Sequence, residues 1–157
     1  MDVSDGGADG AQHRGLSRRS AVSVRDLSVV KHRVFADPRG ALVPMELTTT
    51  VPFPVARLFW VFDVAAGQQR GAHAHRTCSQ YMICVSGLVR IEVQDGADLC
   101  AFDLNPGEAL HVPPMIWATE QYKVEATILL VLCDKPYEAD DYIHSIADFR
   151  ELRSGTL

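Results

Sequence analysis

No two of the four cysteines, Cys78, Cys84, Cys100 and Cys133, stand at CxxC spacing. The sequence therefore offers neither a thiolate zinc site nor a disulfide framework. Three of them lie inside apolar runs, where a free thiol behaves as a small buried hydrophobe. No apolar run approaches the length of roughly 20 residues that a membrane-spanning helix needs. Positive charge is also scarce: 15 Lys and Arg stand against 20 Asp and Glu, a formal net charge of -5. That balance argues against general binding to nucleic acid or to a membrane surface, although a few well-placed arginines can still hold an anion. "RRSAVSV" (Arg18 to Val24) carries the paired arginines of an export signal, but no hydrophobic segment follows them, so a cytoplasmic location is expected.

What is present suits one globular domain. The 157 residues are 47% apolar and 22% charged, enough to bury a real core. Residues 1–22 are rich in Gly, Ala, Ser, Asp and Arg and read as a disordered tail. The arginine cluster Arg14, Arg18 and Arg19 reads as part of that solvated tail. From Val29 onward the chain breaks into short apolar segments between turn residues. "VVKHRVF", "ALVPMELT", "RLFWVFDV", "QYMICV", "LVRIEVQ", "DLCAFDL", "IWATEQY" and "ATILLVLC" all read as strands. Asp95-Gly96 reads as a two-residue type I′ hairpin turn. "LNPGEAL" reads as a further turn, and the prolines of "VPPMIW" open a later strand where no ladder donor is needed. Helical spacing is confined to Ser145–Arg153, where Ile146, Phe149 and Leu152 recur on one face. The pattern predicts an all-β barrel, closed or sandwiched, with a short C-terminal helix.

The chemistry centres on "RGAHAHR" (Arg70 to Arg76). Residues two apart on a strand share a face, so His73 and His75 project together, roughly 7 Å apart along it. On an inner barrel face they make a site.

The spacing of Gly67, His73-x-His75, Gln80 and Gly87 resembles the first cupin motif, with Gln80 where that motif has glutamate. "PGEALHVPP" followed by "MIWA" resembles the second, with Ala118 where metal cupins place a further histidine. A catalytic metal wants about three protein ligands plus an open position. Two imidazoles and an amide fall short, and His111 lies out of register with the usual ligand. No metal is expected, and the imidazoles are read as proton-transfer groups.

Three longer stretches narrow the resemblance. "RGAHAHR" with "QYMICVSGLVRIEV", then "HVPPMIWATE", then "LLVLCDKPYEADDYIHSIADF" are together similar to the sugar nucleotide 3,4-ketoisomerases. The run Tyr137 to Ile143 matches their C-terminal signature, and "ADPRGALVPME" (Ala36 to Glu46) matches their Asp-x-Arg-Gly-x-Leu segment. The resemblance implies a single-domain cupin of the jelly-roll, RmlC-like type over residues 23–157. It implies a dTDP-linked 4-keto-6-deoxy sugar as substrate, with the carbonyl moved from C4 to C3 and no cofactor. Products of that family feed deoxyamino sugar biosynthesis for antibiotics or surface glycans. The resemblance also implies a homodimer that exchanges N-terminal strands and sets Arg39 over the partner's pocket.

Roles follow for individual residues. His73 is the expected base and proton shuttle. His75 would stabilise the enediolate or relay the hydroxyl proton. Arg39 is the expected diphosphate contact, since a guanidinium donates two parallel hydrogen bonds to phosphate. Arg70 would polarise the carbonyl, bind diphosphate or remain a solvated strand-end charge. Gln80 shares an inward face with Met82 and is read as a polar pocket residue. His111 is a candidate acid. Trp117 would wall the sugar pocket or fill the core. Tyr137 and Tyr142 would reach the site through their hydroxyls or cap the barrel end.

The chain departs from the family at Ser79, where relatives carry a third histidine, at Phe62, where they carry a tyrosine, and near His111, where they carry another. These departures leave the general acid unassigned. They also keep open a non-catalytic sugar nucleotide binder, beside a metal-dependent cupin enzyme and a 3,5-epimerase on the same substrates.

Overall fold

The computed structural model describes residues 22–155. The tail read over 1–22, with its arginine cluster, therefore lies outside the described residues except for Val22. Twelve strands and two helices follow in order: β1 (Val29–Lys31), β2 (Phe35–Asp37), β3 (Gly40–Leu42), α1 (Leu47–Thr50), β4 (Arg57–Val61), β5 (Gln69–His75), β6 (Gln80–Ser86), β7 (Val89–Gln94), β8 (Leu99–Leu104), β9 (Glu108–Val112), β10 (Trp117–Tyr122), β11 (Ile128–Cys133), β12 (Tyr142–Ile143) and α2 (Ile146–Ser154). One five-stranded sheet runs β1-β9-β6-β11-β4, a second runs β12-β5-β10-β7-β8, and β2 and β3 form a hairpin of their own. All pairings are antiparallel. Of the two architectures left open by the sequence, the chain adopts the sandwiched one: the sheets face each other and are not closed into one ladder.

Alternation along each strand builds the core. Met82 and Cys84 of β6, Leu110 and Val112 of β9, and Leu129, Val131 and Cys133 of β11 point inward from the first sheet. They meet Val89, Ile91 and Val93 of β7 and Ala118 and Tyr122 of β10 from the second. The outer faces are covered differently. Tyr81, Ile83, Ala109 and Leu132 lie under the segment carrying Met45, Val51, Phe53 and Val55. Ala74, Trp117 and Ile143 lie under Phe149 of α2.

The sequence reading differs from this fold locally. "VVKHRVF" splits into β1 and β2, and most of "ALVPMELT" is not strand: it holds β3 and the start of α1. β9, within the stretch read as a turn and a later strand opening, pairs with β6 over Ala109–Val112. The β7–β8 hairpin turns at Gly96-Ala97, one residue later than expected, because Asp95 N–H bonds the Asp98 carbonyl at 3.2 Å. Only Gly96 of that turn has a positive φ, 94°, which excludes type I′. The Asp95 carboxylate is spent instead on the N–H groups of Val24, Ala97 and Asp98.

Helix α2 agrees with expectation. Ser145 caps it by accepting from Asp148 N–H, and Gly155 ends it at a φ of 72°. Arg153 then ties it to the β7–β8 turn by donating to the Asp95 carbonyl at 2.6 Å. Phe149 is fully buried against Trp117, with ring centroids 5.7 Å apart. Phe149→Ala should therefore cost about 3–5 kcal/mol of unfolding free energy, read from urea denaturation; a loss below about 1 kcal/mol would mean that α2 does not hold the outer face.

Candidate active site

Strand β5 carries a bulge that sets the geometry. His73 pairs with Ala118 on β10, yet the next pairing is Gly71 with Thr119, so Ala72 is the extra residue. Gly71 and Ala72 both have positive φ, 75° and 53°. For an alanine that conformation costs about 1 kcal/mol or more. Bulges of this kind re-aim the side chains that follow. Here His73 faces the sandwich interior opposite Ala118, and His75 does the same two residues on.

The C-terminal segment then closes over the pair. β12 adds to β5 with Tyr142 opposite His75. The rings of His73 and His75 are 5.0 Å apart and nearly perpendicular, at 81°. Tyr142 sits 4.3 Å from His75 and 5.0 Å from His73, and His144 stacks on Tyr142 at 16°.

His75 is oriented from behind. Its Nδ1 is 2.9 Å from Asp141 Oδ2. Asp141 also accepts from Thr77 N–H at 2.8 Å, Thr77 Oγ1 at 2.7 Å and Cys78 N–H at 3.2 Å. Burial alone would raise the pKa of this carboxyl, but the bonds from Thr77, His75 and Cys78 outweigh it and the net shift is downward. Asp141 is therefore an anion, and His75 carries its proton on Nδ1. That leaves the buried Nε2 lone pair with no partner. Both imidazoles titrate below the usual histidine value. Burial is the main cause for each; the Gly71 backbone opposes it at His73 and Asp141 opposes it at His75. At neutral pH both rings are uncharged bases.

Arg57, at the start of β4, brings a positive charge to bear on His75 and disfavours its protonation. Its Nη2 donates to Cys133 Sγ at 3.4 Å, and the Tyr142 hydroxyl further favours its charge. Its guanidinium carbon lies 5.4 Å from the Phe59 ring and 5.5 Å from the Tyr137 ring. With Cys78, this arginine favours the Cys133 thiolate and moves that pKa downward.

Among the described residues, His75, Cys78 and Asp141 have donor atoms within 4.8 Å of one another. The donor set does not suit a cation. Asp141 is already engaged by four hydrogen bonds, and His75 Nδ1 is committed to it. The Cys78 thiol is pushed strongly upward by its bond to Cys133 and by burial, so it stays protonated.

The remaining expected residues divide. Gln80 is buried, faces inward with Met82 and helps to favour the Cys133 thiolate. Tyr137 is exposed at the rim, its ring 5.6 Å from Tyr142. Arg70 lies on the same strand as the histidines, opposite Glu120. Three residues are not brought to the histidines. Trp117 packs on Phe149 on the outer face, because its neighbour Ala118 takes the inward position. His111 alternates with inward Leu110 and Val112, so it points outward onto Phe53, 5.7 Å away. Arg39 sits on the β2–β3 hairpin and is paired with Asp37 within its own chain. Phe62, read as the place of a missing tyrosine, is exposed just past β4. The inward aromatic of that strand is Phe59.

Sequence reasoning missed Asp141, Arg57, His144 and Glu120. Asp141 had a signal, since it lies inside the Tyr137–Ile143 run, but its link to His75 spans 66 residues. Glu120 had one too: it follows the inward Ala118 by two residues on a strand.

Solved structures share this fold. QdtA, a sugar 3,4-ketoisomerase from Thermoanaerobacterium thermosaccharolyticum solved with TDP, superposes with a TM-score of 0.78 at 27% identity, covering 85% of this chain and 98% of that one. The WlaRB TDP-quinovose 3,4-ketoisomerase from Campylobacter jejuni gives a TM-score of 0.74 at 29% identity, covering 82% and 99%. A TDP-4-oxo-6-deoxy-alpha-D-glucose-3,4-oxoisomerase from Aneurinibacillus thermoaerophilus is 29% identical over 124 residues, 78% of this chain and 89% of the relative. The fold is that of the RmlC-like cupins. Residues 25–154 match the family model described as FdtA: WxcM-like, C-terminal, and the chain belongs to that family.

Proposed function

We infer that this chain is a TDP-sugar 3,4-ketoisomerase that moves the carbonyl of a TDP-4-keto-6-deoxy sugar from C4 to C3. The observation that carries the reading is the pair of neutral imidazoles on an inner face, one of them oriented by a buried aspartate. Moving a carbonyl between neighbouring carbons passes through an enediol. One base must take the C3 proton and return a proton at C4, and a hydroxyl proton must also move. His73 is the carbon base and shuttle. His75 takes up the hydroxyl proton at Nε2, and Asp141 offsets the charge that this creates. The chemistry needs no metal.

Substrate binding draws on the edges of the fold. The β2–β3 hairpin pairs with neither main sheet. On β4, an edge strand, Leu58 and Trp60 are exposed, as is Phe62 just beyond it. These surfaces suit a homodimer in which exchanged N-terminal strands set Arg39 against the partner's diphosphate pocket. The exposure of Tyr137 beside Tyr142 supports a role for it in closing over the sugar.

Incubation with TDP-4-keto-6-deoxyglucose, followed by NMR of the product, tests the reading. A TDP-3-keto-6-deoxy sugar is expected. Inversion at C5 with the carbonyl still at C4 would mark an epimerase instead, and unchanged sugar would mark a binder.

A further inference from the structure

Glu120 sits on the inner face of β10, two residues from the Ala118 that faces His73. It is only 7% exposed and makes no hydrogen bond among the described residues. An unpaired buried carboxyl is costly, and such groups concentrate at functional sites. Its position is prepared by the β5 bulge. A Cβ on Gly71 would come within 2.9 Å of Glu120 Oε1, so the bare glycine admits the carboxyl. The same Gly71 backbone opposes the effect of burial on the His73 ring. His73 and Glu120 thus flank one residue. Next inward on β10, the Tyr122 hydroxyl is also buried without a partner. Carboxyl and phenol together mark a polar interior that the fold itself does not satisfy.

We propose that the Glu120 carboxyl is the acid of the reaction, giving its proton to O4 of the sugar as His73 removes the proton from C3. This rests on the ketoisomerase reading. The reaction needs no oxidant or co-reactant. His73 takes the C3 proton, that C–H pair forms the C3–C4 double bond, and the C4 carbonyl pair moves to O4, which takes the proton of Glu120. In the second half, His75 Nε2 takes the O3 proton, that O–H pair forms the C3 carbonyl, and C4 takes the proton from His73. Transfer of one proton from His75 to Glu120 through water resets the site.

The surroundings keep the acid protonated near neutrality. Burial raises the Glu120 pKa to about 7, and Arg70 on β5 pulls it back only partly. On β10 the neighbour is Tyr122, whose pKa is raised by burial, and beyond it lies Cys84 of β6, raised to about 11; both are uncharged. His73 on β5 is neutral. β7 presents Ile91 opposite Glu120, an apolar residue.

The test is the pH profile of kcat for native protein and E120Q on TDP-4-keto-6-deoxyglucose. The native profile should rise through the histidine pKa values below 6.5 and fall near pH 7 as Glu120 ionises. E120Q should lose about 100-fold or more in kcat, with KM little changed and the fall near pH 7 gone. E120D should restore that fall. An E120Q protein that keeps native kcat and the native fall overturns the proposal while leaving the ketoisomerase reading intact. A native protein that forms no 3-keto sugar overturns both. Should E120Q not fold, carbon-13 NMR of the glutamate carboxyls in native protein decides: a carboxyl titrating near 7 and perturbed by TDP-4-keto-6-deoxyglucose supports the role, and none titrating above the ordinary carboxylate range overturns it.

Discussion

His73→Asn is expected to lower kcat by about 10³-fold, within the range for a positioned acid-base group, and to leave the fold intact. Asparagine retains a polar side chain of similar reach, and among the described residues the His73 ring meets the Gly71 backbone and the rings of His75, Tyr142 and His144. What disappears is the one nitrogen able to take a proton from carbon. Because burial keeps His73 below the ordinary histidine pKa, the native ring is a competent base at neutral pH without waiting to be deprotonated. The loss should fall on kcat, with KM changed much less, since the substituted group acts in the transition state and not in binding. Exchange of the substrate's C3 hydrogen with solvent deuterium should vanish in parallel. A variant that still turns over within about threefold of native would assign the carbon base elsewhere.

Asp141→Asn should be comparably damaging, at up to about 10⁴-fold in kcat, the scale seen when an aspartate that fixes a catalytic histidine is neutralised. The amide can donate to Nδ1, which turns His75 into the other tautomer and places a proton where the Nε2 lone pair now stands. Two measurements separate this from simple loss of structure. The low-pH limb of the rate profile should move to lower pH, because Asp141 is what raises the His75 pKa against burial and the charge of Arg57. Stability should also fall, by about 1–3 kcal/mol, as the donors of Thr77 and Cys78 lose a charged acceptor. A stability loss with an unmoved limb would reduce Asp141 to a structural brace.

Much of this site could be read from residue spacing. The HxH pair, the inward Gln80 and the C-terminal helix follow from period-two and period-3.6 patterns, and those patterns survive folding because one face of each element is buried. The same alternation, applied strictly, also places Trp117 and His111 outside: if Ala118, Leu110 and Val112 face the core, their neighbours cannot. Asp141 and Arg57 were harder. Their roles come from β12 adding to β5 and from β4 lying beside β11, pairings that join distant parts of the chain and leave no local signature. The β5 bulge was hidden for a related reason. Gly71-Ala72 looks ordinary in sequence, yet its extra residue sets the register that brings Glu120 beside Gly71.

Chelator-treated native protein, incubated with TDP-4-keto-6-deoxyglucose in deuterium oxide and followed by proton NMR, reports directly on whether the barrel's imidazoles carry hydrogen between adjacent carbons. The account predicts a 3-keto sugar nucleotide whose C4 hydrogen comes from His73, protium passed on from C3 together with deuterium from turnovers in which the ring exchanges with solvent. Unreacted 4-keto sugar with its C3 hydrogen fully retained would contradict it.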